Sequence, residues 1–432
     1  MSKIFRLVEK KNNNYLILDS DDGVVDELNY FQVLECLEHG IEIEGCIKTK
    51  RGYNFEIDNS DYHKIIKGYK FRIYPTAKQR EYFNQCFGCC RLLWNSMLAD
   101  KIDYYNTYGE NLTVYVTDYK ERYPFLNDVD SLALANELQD LNKAYKNFFR
   151  DKSVGFPKFK VKKNNHRSFS TNNQKGTVEF IDNKWLKIPK NKKIGLIRCH
   201  QSQVIKGVVK TVTISQVPSG KYYVSCNVEI WHQSLPKTEN MIGLDLGIKD
   251  LVIPSYGEPY ENPKTIRNYG QQLAKLQRQL AHKQKYSKNY YKQKKKIARL
   301  HERISNIRVN NLHQTSHKIV SENQVIISEN LRIKNMLKNH HLAKSISDAS
   351  WYELTRQLNY KADWNNRIYH KIDTFYASSQ ICSCCGYQNR DIKDLSVREW
   401  QCPNCGALHN RDKNASINIL NKGLEDLGIL VA

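Results

Sequence analysis

The sequence predicts a multidomain α+β protein, and three observations carry that expectation. Its 432 residues are too many for one compact core, so roughly two to four domains follow. Period-two strand pieces separated by turn residues fill some stretches, while apolar residues recurring at threes and fours mark helices elsewhere. Charge is also partitioned. Residues 1–60 hold 7 Lys+Arg against 12 Asp+Glu, a net of −5, so of the chain's +22 the remainder carries +27. An acidic module precedes a strongly basic one.

Hydrophobic residues make up 40% of the chain, which excludes a wholly disordered protein. No run of about 18 apolar residues occurs, so no membrane span is expected. The first residues, MSKIFRLVEKKNNN, lack an apolar signal core. The expectation is a cytoplasmic protein, nucleoid-associated if bacterial, with no membrane partner. The excess of cationic groups points to a polyanion, nucleic acid before a membrane surface.

Taken in order, residues 1–68 read as a small α/β extension. YLILD (15–19) is a strand, DDG (21–23) a turn, DELNYFQVLECLEHG (26–40) a helix ending at Gly40, and IEIEGCI (41–47) a second strand. Its role is open between partner binding, regulation and an inert extension. YKFRIYPT then alternates as one strand from Tyr69 until Pro75 stops it. Residues 78–152 carry helical spacing. From Gly155, FPKFKVKKNNHRSFS interleaves basic and aromatic residues, and five strand-like pieces follow up to residue 230. Residues 69–77 and 153–235 therefore read as a small β domain or barrel, with the helical block inserted between its first strand and the rest. Lys70, Arg72, Lys158 and Lys160 are candidate nucleic-acid contacts.

Residues 236–432 form a third region. MIGLDLGIKDLVIPS places Asp245 at the end of an apolar strand, and QVIISEN places Glu329 at the end of another. Between them, 265–310 reads as two antiparallel helices broken near YSKNYY, with Leu273, Leu276, Leu280, Leu300 and Ile304 on one face. Lys and Arg dominate the other face and Glu302 is its one acid. That balance favours phosphate contact over a merely solvated face; Lys292, Lys295 and Arg299 are the candidates. WYELTRQLNYKADW (351–364) reads as an amphipathic helix and IDTFYAS (372–378) as a last strand.

Two constellations carry chemistry. CSCC (382–385) and CPNC (402–405) are knuckles followed by Gly386 and Gly406, the spacing of a four-thiolate zinc site with Cys382, Cys385, Cys402 and Cys405 as ligands. Cys384 is near enough to substitute. Four thiolates close the site, so zinc there would be structural, within a ribbon at 380–407. The second constellation is Asp245, Glu329 and Asp412, the last in HNRDKNASINI (409–419). Each alone fits a cap or turn. Together, in a basic chain, they fit hard-cation ligands, and two Mg²⁺ ions about 3.5–4 Å apart suit phosphodiester hydrolysis.

GLDLGIKDLVIPS, IISENLRI and HNRDKNASINI resemble the three active-site segments of RuvC-type nucleases with an RNase H fold. Their order, with a zinc ribbon before the third, resembles TnpB proteins of insertion sequences and the compact type V CRISPR effectors related to them. YKFRIYPTAKQ, FGCCRLLWN, FPKFKVKK, LKIPK and WYELTRQLNYKADW match further blocks, so the resemblance spans roughly residues 69–420. It implies an RNase H-like nuclease domain with an inserted zinc ribbon, a β-barrel wedge domain with an inserted helical recognition lobe, and a metal-dependent endonuclease. Guide RNA and double-stranded target DNA would be the partners; the oligomeric state stays open. It also implies Asp245, Glu329 and Asp412 as catalytic Mg²⁺ ligands, with Arg411 beside the scissile phosphate. Two departures stand out. The family pattern has Asp two residues before the last catalytic Asp, where this chain has Asn410, and residues 1–68 precede the usual start. The alternative functions are an RNA-guided repressor without cleavage and a guide-independent transposition accessory protein.

Overall fold

The structure, a computed structural model, describes residues 5–429 apart from 11–13, 19–23, 40, 45, 50, 51, 56–61, 163–166 and 395. Two compact units divide the chain, Met1–His232 and Gln233–Ala432.

The first unit opens with a four-stranded sheet ordered Val24–Asn29, Asn14–Leu18, Phe5–Lys10, Ile43–Glu44. Helix Tyr30–Glu38 covers it, with Val33 packed on Tyr15, Ile17 and Ile43. This helix starts later than the expected Asp26, because Val24–Asn29 pairs with Asn14–Leu18 as a strand. Asn29 then caps the helix in a reciprocal box with Gln32. The DDG turn and Gly40 lie outside the described residues.

Strand β1 runs Tyr62–Tyr74, starting seven residues before the expected Tyr69, so the expected limit at residue 68 falls within one continuous strand. Tyr69, Phe71 and Ile73 point inward by the two-residue period. Helix α1 (Ala77–Tyr108) follows, capped by Thr76 and Gln79, and helix α2 spans Ser131–Arg150. The sheet continues with β2 (Arg167–Asn172), β3 (Glu179–Ile181), β4 (Trp185–Lys187), β5 (Ile197–His200), β6 (Val208–Gln216) and β7 (Tyr222–Gln233), in spatial order β2-β6-β7-β1-β5-β4-β3. The expected barrel is not closed: among the described residues the sheet ends on β2 and β3. Helices take the place of a closing strand at β2. Phe83 and Phe87 pack on Phe169, and the Asn136 amide donates to the Ser170 carbonyl at 2.8 Å.

The second unit is built on β8 (Met241–Leu246), β9 (Asp250–Pro254), β10 (Tyr260–Glu261), β11 (Val325–Ser328) and β12 (Ile368–Lys371), ordered β10-β9-β8-β11-β12. β10, β9 and β8 pair antiparallel, whereas β8, β11 and β12 pair parallel. The last strand thus precedes the expected 372–378. That stretch turns instead, as Asp373 Oδ1 accepts the Phe375 N–H at 2.7 Å.

Alternation sorts the sheet's two faces. Ile242, Leu244, Leu246 and Ile326 pack on one side against the long helix α4 (Lys288–Glu322) and helix α5 (Trp351–Trp364). Val325 and Ile327 face the other side, where Ile419 and Leu424 of helix α6 (Arg411–Asp426) complete the core. A hairpin partner, α3 (Gly270–Ala281), precedes α4; the break falls at 282–287, just ahead of most of YSKNYY. Gln293 pins the hairpin by donating to the Leu276 carbonyl at 3.0 Å.

Two glycines let α6 lie against the sheet. A Cβ at Gly243 of β8 would stand 2.1 Å from the Ser416 carbonyl oxygen, and one at Gly423 of α6 would stand 2.3 Å from Ile327 Cγ2. Gly243→Ala is therefore expected to push α6 off the sheet and cost about 1–3 kcal/mol, the usual penalty of overpacking. Denaturant unfolding checks this; an unchanged midpoint would mean that α6 does not sit so close.

Candidate active site and metal centre

Strand parity places two carboxylates. Asp245 follows Gly243 by two residues on β8, and Glu329, one residue past the end of β11, follows Ile327 by two, so both face α6. The register pairs Gly243 with Ile327 and Leu244 with Ser328, which brings Asp245 and Glu329 side by side where the strands end. Each is close enough to shift the other's titration, and the Asp245 carboxyl helps to raise Glu329. Burial raises both carboxyls above the ordinary range, and Glu329 the further. The Asp412 charge adds to the rise at Asp245, while the Arg411 charge opposes it. Both side chains are half-buried, and two adjacent carboxylates repel, so a cation between them would favour the ionised pair.

Asp412 lies in the first turn of α6. Its carboxylate pairs with Arg398 Nη1 at 3.4 Å, and both side chains are partly exposed. Asn410 is the helix N-cap, its Oδ1 accepting the Lys413 N–H at 3.1 Å. Asn and Asp cap equally well, which explains why Asn is accommodated at this position. Arg411 is buried, and its guanidinium donates to the carbonyls of Asp394 (2.5 Å) and Val397 (3.4 Å). Its side chain is thus spent on the neighbouring loop, and Arg398 is the exposed guanidinium beside Asp412.

The four expected thiols converge. Cys382, Cys385, Cys402 and Cys405 have all Sγ atoms within 4.8 Å of one another. Cys382–Cys405 and Cys385–Cys402 are each 3.6 Å apart, close to the roughly 3.8 Å edge of a tetrahedron with Zn–S bonds of about 2.3 Å. Both knuckles turn on left-handed glycines, Gly386 (φ 75°) and Gly406 (φ 74°). In each turn the glycine N–H reaches back to the first cysteine's carbonyl, Cys382 or Cys402. Donation from Asn404 and from the Tyr387 backbone lowers the Cys385 thiol to about 6, while burial pushes Cys382 up to about 12. Cys384 is exposed.

Sequence reasoning missed three supports. His409 Nε2 stands 3.0 Å from Cys382 Sγ, and its ring lies 4.8 Å from Trp400. Burial lowers its pKa, favouring the neutral ring. Asn414 and Asn418, one turn apart on α6, both donate to the Ile381 carbonyl, and Asn414 Oδ1 accepts the Ser383 N–H. Buried amides at that spacing inside an apolar helix face were the available signal. Among the described residues, groups of three or more ligand atoms within 4.8 Å occur at the cysteine cluster and at Cys382, Cys384 and His409, so the carboxylate trio is more open.

The other candidates separate. Lys292, Lys295 and Arg299 line a basic groove of about 660 Å³ between α3 and α4, together with His282, Lys283 and Lys296. Lys160 is paired at 2.5 Å with the largely buried Glu137 and lies over the Trp94 ring. Lys158 is exposed, and its carbonyl is held by Trp94 Nε1. Lys70 and Arg72 sit over Tyr223 and Tyr74. No helix among the described residues is long and apolar enough to cross a membrane.

The sequence is similar to that of known proteins. Residues 221–340 match the OrfB_IS605 family, described as "Probable transposase", and 351–419 match the "Cas12f1-like, TNB domain" family. A Streptomyces pristinaespiralis protein named for RNA-guided DNA endonuclease activity is 37% identical over 370 residues, 84% of this chain and 90% of that protein. The chain belongs to the OrfB/TnpB family. A similarly named Escherichia coli K12 protein, InsQ, is 34% identical over 385 residues, 83% of this chain and 93% of its own length. A solved Cas12f1–sgRNA–target DNA complex aligns at TM-score 0.33 and 15% identity, covering 83% of this chain and 99% of that one. Residues 65–110 match the family's helix-turn-helix segment, yet here they form the end of β1 and one continuous helix, α1.

Metal analysis of the purified protein is expected to find one zinc per chain. Cys385→Ser and Cys402→Ser should lose it and Cys384→Ser should keep it, measured by elemental mass spectrometry. Loss on Cys384→Ser would put that thiol in the ligand set.

Proposed function

We propose that the chain is an RNA-guided DNA endonuclease whose cutting centre is Asp245, Glu329 and Asp412. The observation that carries this is the pairing of Asp245 and Glu329 at the ends of two adjacent strands, with the Asp412 charge, at the start of α6, acting on Asp245. The sheet order, three antiparallel strands continued by two parallel ones, supports an RNase H-like, RuvC-type domain. The close relatives named for RNA-guided DNA cleavage support the activity, with guide RNA and target double-stranded DNA as partners. Two Mg²⁺ ions held by the trio would activate water and stabilise the departing oxygen of a phosphodiester.

The residues divide the work. Asp245 and Glu329 form the inner pair, fixed by strand parity. Asp412 supplies the third carboxylate from the opposite side, aimed by the start of α6. Arg411 is a positioning residue, tying that helix to the loop at 394–397. Arg398 is the cation placed to meet substrate phosphate beside Asp412. Zinc at the four cysteines closes the ribbon against α6. The sheet containing β1–β7 serves as the wedge, helices α1 and α2 form the recognition lobe, and Lys292, Lys295 and Arg299 track a nucleic-acid backbone. The acidic residues ahead of β1 are an added segment, whether partner-binding, regulatory or inert.

Asp245→Ala with guide RNA, Mg²⁺ and target DNA should abolish cutting and spare guide-directed binding. Wild-type protein that binds target but never cuts would make it a repressor, and co-purification of no discrete RNA would make it guide-independent.

Metal demand should also follow pH. The raised carboxyls favour their protonated forms more than free carboxyls do, and a cation competes with that proton. Half-saturating Mg²⁺ for cutting is therefore expected to fall as pH rises from the ordinary carboxylate range through the raised values. In metal-free protein the same groups bind more protons folded than unfolded, so stability declines over that window as pH rises. Mg²⁺ titrations at several pH values, with melting curves in chelator, check both signs.

A further inference from the structure

The helical block carries an aromatic pocket that no step above uses. A cavity of about 730 Å³ opens between the C-terminal ends of α1 and α2, within the roughly 300–1,000 Å³ of small-ligand sites. Tyr145, Phe148 and Phe156 form its fixed wall. Phe156 meets Tyr145 edge-on at 5.5 Å and Phe148 at 5.4 Å. Gly155, at φ 77°, turns the chain so that Phe156 enters. Phe149 continues the wall, stacked on Tyr145, but is 68% exposed, and Tyr105 across the cavity is 56% exposed.

Large rings left in water at a concave site call for an occupant. The polar lining narrows its chemistry. Asn106, Asn111 and Asn142 offer amide donors and acceptors, and Lys101 and Lys146 offer positive charge. Lys101 is fastened to the Leu112 carbonyl and lies 5.8 Å from the Tyr145 ring, so it stays at the rim of the aromatic wall. Flat rings accept a planar heterocycle, amides read its edge, and ammonium groups meet a phosphate. A lipid tail would have no use for the amides, and an acidic peptide none for the ring faces.

We propose that this pocket takes one unpaired nucleotide, its base stacked between Tyr105 and Phe149 and its phosphate toward Lys146. The proposal rests on the nucleic-acid-guided reading above and names a contact within it. Stacking on aromatic side chains tolerates any base, so the pocket would grip an unpaired position without fixing its sequence. The nucleotide belongs either to the guide RNA or to a DNA strand opened at the target.

Photo-crosslinking separates these sources. One arm uses the full chain assembled with guide RNA bearing 4-thiouridine. The other adds target DNA bearing 4-thiothymidine. Peptides containing Tyr105 or Phe149 should be crosslinked in one arm, and that arm identifies the source. Tyr105→Ala/Phe149→Ala should weaken binding of that nucleic acid roughly tenfold or more, with Phe149→Trp retaining it. Both rings are exposed, so the melting temperature should stay unchanged. Cutting-competent wild-type complexes without such crosslinks, or a double variant that binds as well as wild type, overturn the pocket alone. A double variant that changes only the mass of the assembly also overturns it, by giving the rings to a second copy of the chain. Wild-type protein that binds no guide RNA overturns the guided reading and this proposal together.

Discussion

The near-contact of helix α6 with the sheet governs the second unit. Gly243 removes a side chain where the Ser416 carbonyl approaches β8, and Gly423 removes one where α6 meets Ile327. Interiors pack at crystal-like density, so a methyl group at either place would move the whole helix. The first turn of α6 carries Asp412, and any lift of the helix carries that carboxylate away from Asp245 and Glu329. A helix N-terminus also favours negative charge through its dipole, so Asp412 sits well there.

The thiol cluster is an extension of the same helix. Its own apolar core is small, Cys382, Ile392, Trp400 and Cys402, far short of what an independent domain needs. It is held instead to α6. His409 touches Cys382 just before the helix begins, Arg411 grips the carbonyls of Asp394 and Val397, and Asn414 and Asn418 hold the backbone before the first knuckle. A structural ion would therefore rigidify the start of α6, which is where the third carboxylate stands. The thiol cluster and the three carboxylates both meet α6 but share no residue.

Charge is laid out differently in the two units. In the second, the α3–α4 hairpin buries Leu300 and Ile304 and leaves a basic groove between its two helices. In the first, part of the basic and aromatic stretch after Gly155 is used internally: Lys160 answers Glu137, and its backbone is held by Asn95. A lysine in a basic stretch is thus no guarantee of a phosphate contact. What distinguishes the cases is whether a buried acid lies within reach, and only the fold brings Glu137 to Lys160.

Local chemistry was legible in the sequence. Short apolar runs marked β8 and β11, two cysteine knuckles with trailing glycines marked the thiol cluster, and an acid at the end of each run marked Asp245 and Glu329 as candidates. Those signals are covalent spacing, which the chain carries with it. The sequence also carried the insertion of α1 and α2 after the first strand. Tertiary structure alone decided the rest. It opened the expected barrel into a sheet capped by helices, lengthened β1 across the expected boundary, and ended the last strand before residue 372. It turned Arg411 toward backbone carbonyls and left Arg398 beside Asp412, because a guanidinium's partner is set by which carbonyls lie near it in space. Asn410 shows the difference in one residue. As a letter it departs from a pattern; as the cap of α6 it supplies the oxygen that the helix start requires.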